Sequence, residues 1–456
     1  MKENKNPAGR RTAIGIDIGT TTISATVFDL KEKKQSVAHS LPHRSYVLAE
    51  GRSEQDVSVI LGVAEGLLAR LLNDYPDAAC IGVTGQMHGI VYVNASGEAV
   101  SNLINWQDKR ADEPLSDGQS ACEQIRARTG EVIATGYGLA THYHCLQTGT
   151  VPSGAVSFCS IMDLLARRIT GEARTVIHAS VAASFGLFDV QKGAFRADAL
   201  RALGVDPTFL PEVTGESRVI GVCRGIPVAV PIGDNQASVL GSVDENGACV
   251  LVNVGTGSQV SAVSEYRAVT GDVELRPFIE GKHLICGSAL CGGFAYGMLE
   301  RFFREYAVGA GLPDASQYDV INRLAAEAYE RGERWLDVDT CFAGKRSDPD
   351  RRGAIFGIDR QNFTPSALIL GVLRGMCDEL YGLYRGFGEK KTRIVASGGA
   401  IKRNDILQRV MADRFGLPLS LLAAEEEAAV GAALFAALAA GEIRYDDGFG
   451  TYIAYA

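Results

Sequence analysis

One short pattern occurs twice in this chain. An apolar run ends in Asp17-Ile18-Gly19-Thr20-Thr21-Thr22, and another ends in Asn253-Val254-Gly255-Thr256-Gly257-Ser258; an alternating segment follows each. Ala13 to Ile18 and Ile23 to Leu30 therefore predict a β-hairpin with a small, hydroxyl-bearing tip, and the later segment predicts its twin. A short match of this kind can arise by coincidence, but position argues for duplication. The 456 residues exceed one ordinary core and suit two domains of about two hundred residues each. The second copy opens the second half, which is the behaviour of a duplicated α/β unit with a phosphate-binding hairpin in each copy. The expected organisation is a disordered lead-in over 1–10, an N-terminal domain over 11–245 and a C-terminal domain over 246–456. They join near the charged, Gly-containing turn Asp244 to Gly247.

The segments around the hairpins alternate between helix and strand. Val57, Ile60, Leu61, Ala64, Leu67, Leu68 and Leu71 recur at three- and four-residue spacing, predicting an amphipathic helix over Val57 to Leu72 before a strand over Ala78 to Thr84. Near the C-terminus, Arg393 to Ala396 predicts a strand, Gly398-Gly399 a tight turn, and Asn404 to Phe415 a helix closed by Gly416. Leu417 to Leu422 predicts a further strand. Glu425 to Ala440 predicts an Ala-rich helix suited to close packing on a sheet, with the run Glu425-Glu426-Glu427 complementing its macrodipole rather than holding a metal.

Composition excludes several function classes. A formal net charge of −9 speaks against a general nucleic-acid surface. No run of 18 or more apolar residues and no secretory leader pattern is present, so the expected setting is cytoplasmic, without a membrane role. The ten cysteines form no C-x-x-C pair of the kind zinc or redox sites use and read as reduced core residues. His142 and His144 could in principle ligate a metal, but no companion cluster stands at a recognised spacing, which favours a surface or core pair.

Phosphoryl transfer needs backbone N–H donors around the phosphates, a held Mg²⁺, a base beside the acceptor hydroxyl and exclusion of water. Gly19, Thr20 and Thr21, with Gly255, Thr256, Gly257 and Ser258, supply small residues whose amides can approach an anion, and their hydroxyls add donors. Asp17 is a candidate Mg²⁺ ligand, directly or through water. No P-loop pattern and no protein-kinase loop set is present. In Pro231-Ile232-Gly233-Asp234-Asn235-Gln236, a strand ends in a Gly turn that presents Asp234 at a helix start; it is the candidate base and a second Mg²⁺-side carboxylate, with a helix N-cap as the alternative. Gln86-Met87-His88 and Trp106-Gln107-Asp108-Lys109-Arg110 mix a flat indole with amide, imidazole, carboxylate and guanidinium groups, the mixture that polyol recognition wants. Taken alone, His88 also fits a structural histidine and Trp106 a core wedge.

These motifs, in this order, resemble the FGGY carbohydrate kinases of the actin, hexokinase and heat-shock ATPase superfold, from about Arg11 to the C-terminus. Asp17 to Thr21 is similar to the family's first phosphate motif, Gly255 to Ser258 to its second, Ser397-Gly398-Gly399-Ala400 with Asn404 to its adenosine segment, and Gly233-Asp234-Asn235-Gln236 to the motif bearing the base. The family's second signature, looked for near Leu368 to Tyr384, is degenerate here. The resemblance implies two duplicated actin-like (ribonuclease H-like) domains with an ATP cleft. It also implies MgATP as phosphate donor, adenosine against Gly398, Gly399 and Asn404, and a sugar near Gln86, Met87, His88, Trp106, Asp108, Arg110, Asp234 and Asn235.

The acceptor segments look like the ketose-phosphorylating branch rather than the glycerol-phosphorylating one. Within that resemblance, Trp106-Gln107-Asp108 together with Arg276-Pro277-Phe278, Gly281-Lys282-His283-Leu284 and Cys291-Gly292-Gly293 look like the branch that acts on D-sedoheptulose, which implies phosphorylation at its terminal carbon, with D-xylulose as the alternative. Lys109 departs from the glycine usual between that Asp and Arg. A non-catalytic actin-like ATP-binding protein is the competing class, and a homodimer is left open.

Overall fold

The structure, a computed structural model, describes residues 12–49, 52–244, 247–255, 257–265, 269–345, 348, 350–446 and 448–456. The expected lead-in over 1–10, the point at 245–246 where the two domains were expected to meet, and Thr256 lie outside the described residues.

By packing, the described chain forms two compact units. The first comprises residues up to 244 with Arg276–His283 and Ala424–Ala454; the second comprises residues from 247 to 275, Leu284–Ala423 and Tyr455–Ala456. The first unit is built on β1 (Thr12–Ile18), β2 (Thr22–Asp29), β3 (Lys34–Pro42), β4 (Cys80–Gly85), β5 (Val219–Cys223) and β6 (Ile226–Ala229), in sheet order β5-β6-β4-β1-β2-β3. β1 and β2 are antiparallel, with Ile18 opposite Ile23, while β1 and β4 run parallel with Asp17 beside Thr84. Ile14, Ile16, Ile18, Ile23 and Val27 are buried, so water is excluded from the centre of the sheet. The Val57–Asp74 helix covers it with the predicted apolar positions, all buried, and Asp56 caps its first turn by accepting from Ser58 N–H at 2.8 Å.

The second sheet contains β7 (Cys249–Val254), β8 (Ser258–Ser264), β9 (Val273–Pro277), β10 (His283–Ala289), β11 (Arg393–Ser397) and β12 (Leu419–Leu421), in order β9-β10-β8-β7-β11-β12. β7 and β8 form the antiparallel hairpin, and β7 runs parallel to β11. Five strands correspond: β3-β2-β1-β4-β6 in the first sheet and β10-β8-β7-β11-β12 in the second. The duplication foreseen from two short motifs is thus a duplication of sheet order, the two-domain α/β arrangement of the actin-like fold. Each sheet adds one edge strand of its own, β5 or β9. The Pro365–Arg385 helix occupies the stretch where the family's second signature was looked for.

The linear division at 245 differs from the division by packing, and for the C-terminal helix glycine explains why. The Glu427–Ala439 helix lies so close to β1 and β4 that a Cβ on Gly15 would sit 1.9 Å from the Ala429 carbonyl oxygen, and one on Gly82 1.9 Å from that of Ala432. Gly431 makes the same kind of approach to the Asp234–Leu240 helix, where an added Cβ would lie 1.8 Å from Ala237 O. A helix of small residues can reach a sheet this closely only where the sheet also lacks side chains.

Candidate active site

In the first unit the carbonyls of the hairpin tip are held by side chains. Gly19 O accepts from Gln86 Nε2 at 3.2 Å and from His43 Nε2 at 3.1 Å, and Thr20 O accepts from Gln55 Nε2 at 2.9 Å. Ser45 Oγ, 2.8 Å from His43 Nδ1, orients that ring. No hydrogen bond from the N–H groups of Gly19, Thr20 or Thr21 to a protein acceptor is present among the described residues. A turn with its carbonyls tied down and its amides unclaimed suits an anion.

Asp234 is the first residue of the Asp234–Leu240 helix, whose N-cap is Gly233 with no side-chain capping bond, so Asp234 does not act as the cap. Its Oδ1 accepts from Asn235 N–H at 2.7 Å. Burial pushes its carboxyl up to about 6, opposed by that N–H and by the Arg276 guanidinium. Asp17 is pushed further, to about 8, first by burial and then by the charges of Asp234, Glu426 and Glu427. The order is physically consistent: Asp234 ionises first, and its charge then hinders Asp17. Asp17 Oδ1 is buried with no hydrogen-bond partner. A hard oxygen atom without a donor, among repelling carboxylates, fits a divalent cation such as Mg²⁺. Glu427 lies in the first turn of its helix, as expected, while Glu426 takes a left-handed conformation with φ of 54° at the cap.

The expected sugar residues divide into two groups. Trp106 is 44% exposed and donates from Nε1 to Thr20 Oγ1 at 3.0 Å, so the indole stands at the hairpin tip as an available wall rather than a core wedge. His88 is half-buried; its Nδ1 donates to Ser184 O at 2.9 Å, and its ring lies against Tyr137 with centroids 4.6 Å apart. Gln86, Met87 and Asn235 are buried. Gln86 spends its amide hydrogens on Gly19 O and on Gln55 Oε1, and Met87 Sδ lies 3.8 Å from Arg276 Nη1.

Asp108 and Arg110, expected at the sugar, are engaged with each other in the described structure. The Asp108 carboxylate, with no side-chain exposure, accepts from Arg110 Nε at 2.7 Å, Arg110 Nη2 at 3.0 Å, Arg110 N at 3.0 Å and Ser53 N at 2.8 Å. Its four lone-pair directions are taken. Arg110 also bridges Glu54 at 2.6 Å, so this pair braces the loop beneath Trp106. His142 and His144 prove to be a buried pair on the Gly138–Thr148 helix. His142 Nδ1 meets Tyr92 OH at 2.9 Å among Phe158 and Phe209, and burial pushes its pKa down to about 4.

In the second unit the corresponding tip is held by backbone. Gly293 N–H donates to Gly255 O at 2.7 Å, and Gly255 N–H donates to Gly257 O at 3.0 Å. An added Cβ on Gly292 would lie 2.5 Å from Gly257 O, so the start of the Gly293–Gly309 helix reaches the turn only because it is bare. The buried Ser258 closes the turn. In place of Asp17 stands Asn253, whose Nδ2 donates to Ser397 Oγ at 2.9 Å. Beside the turn a cavity of about 700 Å³ is lined by Gly255, Gly293, Phe294, Tyr296, Tyr318, Gly399, Arg403 and Asn404. Gly398, at φ of 92°, packs against Val254 O at the cavity's edge. Asn404 caps the Asp405–Phe415 helix, accepting from Leu407 N–H at 3.0 Å, while the Tyr296 hydroxyl donates to Asn322 Oδ1. An aromatic mouth, amide groups and a helix N-terminus together suit a nucleoside phosphate.

Comparison with known proteins agrees with this arrangement. The N-terminal domain profile of the FGGY family of carbohydrate kinases matches residues 12–242, and its C-terminal domain profile matches 251–440. Human sedoheptulokinase is 26% identical over 94% of this chain and 97% of its own length. Glycerol kinase of Trichlorobacter lovleyi is 28% identical over 94% and 90%. Gluconate kinase from Lactobacillus acidophilus superposes with a TM-score of 0.85 at 19% identity, over 98% of this chain and 93% of that one. These three relatives carry names with three different acceptors, so the likeness does not choose the sugar. With both halves matched in order and the duplicated hairpins in place, the chain belongs to the FGGY family of carbohydrate kinases, as a phosphotransferase acting on a carbohydrate.

Proposed function

We propose that this kinase transfers the γ-phosphoryl group of MgATP to the terminal hydroxyl of a ketose, D-sedoheptulose first among them. The observation that carries the mechanism is Asp234, a half-buried carboxylate on the first residue of a helix with its pKa raised to about 6. It is ionised at neutral pH, yet basic enough to take a proton from a hydroxyl as that oxygen attacks phosphorus in line. Asp17, with its unpartnered buried oxygen, would hold Mg²⁺; the ion's chemistry there is to neutralise charge on the phosphates. The amides of Gly19, Thr20 and Thr21 in the first unit, and the tip at Gly255, Gly257 and Ser258 in the second, are the candidate phosphate contacts. The adenosine is assigned to the cavity by Gly398, Gly399 and Asn404, and Trp106 with His88 forms the sugar wall. In this reading Asp108 and Arg110 act by supporting the Trp106 loop.

The sedoheptulokinase relative, which this chain spans nearly end to end, supports the seven-carbon ketose. Ten free cysteines suit a reducing compartment, and no described helix is long and apolar enough to cross a membrane; we place the reaction in the cytoplasm. Steady-state kinetics with sedoheptulose, xylulose and glycerol test the substrate. A site built to pair the added hydroxyls gives sedoheptulose a kcat/KM at least ~10-fold above xylulose. Equal or reversed values move the assignment to the five-carbon ketose, and a preference for glycerol overturns the ketose reading.

A further inference from the structure

The Ile232–Gly233 peptide, immediately before Asp234, is held at both ends by buried hydroxyls. Thr84 Oγ1 donates to Ile232 O at 2.7 Å, and Gly233 N–H donates to Ser180 Oγ at 3.0 Å. Ser180, having accepted that hydrogen bond, directs its own hydrogen to His178 Nδ1 at 2.8 Å, and the same nitrogen also accepts Ser180 N–H at 3.2 Å. The polarity of the chain is therefore fixed: Gly233 N–H to Ser180 hydroxyl to an unprotonated His178 nitrogen. Thr84, His178 and Ser180 are fully buried, so water cannot substitute for any of them.

The same short helix, Ala179–Ser184, reaches the sugar loop from its other end. Ser184 Oγ donates to Met87 O, and Ser184 O accepts from His88 Nδ1 at 2.9 Å. Thr84 stands beside Asp17 in the β1–β4 register. One bracket thus ties the strand bearing Asp17, the loop bearing His88 and the turn bearing Asp234.

We propose that Thr84 and Ser180, the latter oriented by His178, are positioning residues that aim the Asp234 carboxylate at the acceptor hydroxyl. This rests on the reading of Asp234 as the base. Rotating a peptide plane one residue upstream moves that carboxylate, and a displacement near 1 Å at a reacting group costs about 10²-fold in rate. A hydroxyl that merely satisfies a buried carbonyl would contribute to folding and leave turnover of the folded enzyme unchanged.

The experiment compares Thr84→Val, Thr84→Ser and Ser180→Ala, each alone and combined with Asp234→Asn, by kcat, KM for ketose and ATP, and melting temperature. With Asp234 present, Thr84→Val and Ser180→Ala are expected to lower kcat by about 10-fold or more, with both KM values little changed, and Thr84→Ser restores most of it. In the Asp234→Asn background neither should lower the residual rate further, because there is no base left to aim. Normal kcat in Thr84→Val and Ser180→Ala, or an equal further loss without the base, overturns the positioning role. If Ser180→Ala fails to fold, the nearly isosteric Thr84→Val against Thr84→Ser decides alone. An Asp234→Asn enzyme that turns over normally refutes the base itself, whereas an inactive one beside a fully active Thr84→Val refutes only the bracket.

Discussion

In the first unit the hairpin tip is gripped by side chains, His43, Gln55 and Gln86 on the carbonyls of Gly19 and Thr20; in the second it is gripped by backbone, Gly293 N–H on Gly255 O. The residue leading each tip differs in charge as well. Asp17 faces other carboxylates, while the equivalent Asn253 is neutral and bonded to Ser397. The same sheet order has been fitted for opposite electrostatic tasks. The first copy collects acids that can take a proton or a cation, and the second offers a helix N-terminus, amides and an aromatic cavity that suit a polyanion and its base. The sheet order is shared, and the residue leading the tip differs, Asp17 in one copy and Asn253 in the other.

Making the first copy resemble the second is the severest break. If Asp17 is the proposed Mg²⁺ ligand, Asp17→Asn should lower turnover by about 10²–10³-fold, because that cation would lose its charged ligand, and raising Mg²⁺ should recover little. The apoprotein should respond in the opposite sense. Asp17 has its folded pKa raised from the ordinary 3.8 to about 8. Its contribution to stability is therefore fully present below the lower value and is lost as pH rises through the upper one. Asp17→Asn should accordingly gain in melting temperature relative to the parent between pH 5 and pH 9, read by calorimetry without ligands. A gap that shrinks with rising pH contradicts the buried-acid account.

The reciprocal change is smaller. Asn253→Asp puts a carboxylate at the second tip, and one like charge near a phosphate is worth about 1–4 kcal/mol at contact range. KM for ATP should rise about 10-fold while the ketose KM stays put, and added salt should soften the effect. An unchanged ATP KM would mean that the two tips do not differ in what they face. Smallest is Asn404→Ala, which removes an N-cap at a cost of about 1 kcal/mol in denaturant unfolding. It should raise the ATP KM a few-fold, and a change in the sugar KM instead would displace the adenosine assignment.

What could be read from the sequence was local. Two Gly-Thr turns after apolar strands, the amphipathic face from Val57 to Leu71 and the Gly233-Asp234 turn each carry their own chemistry within a few residues. What could not be read depends on distant pairings. Nothing near Gln55 or His43 announces that they close on the first tip, since those bonds join residues 24 and 35 positions apart. Asp108 and Arg110 look like sugar ligands because they are polar and close in sequence, and that same closeness lets them neutralise each other. The small-residue helix Glu427–Ala439 was legible as a sheet-packing helix, but its placement with the first unit depends on Gly15 and Gly82, some four hundred and three hundred and fifty residues earlier. Arg276 carries no local signal in the sequence beyond a subfamily resemblance; its electrostatic effect on Asp234 follows from the fold.

The proposed phosphoryl transfer rests on Asp234, and its most direct test is single-turnover phosphoryl transfer by Asp234→Asn at saturating ketose and MgATP, with ketose affinity measured separately by calorimetry. The account predicts a rate lower by at least ~10² with ketose affinity little changed. It also predicts that the parent enzyme's rate falls about tenfold per pH unit below about 6, where Asp234 takes up its proton, a limb the variant lacks. A variant that transfers phosphate at the parental rate, or retains that acid limb, would contradict it.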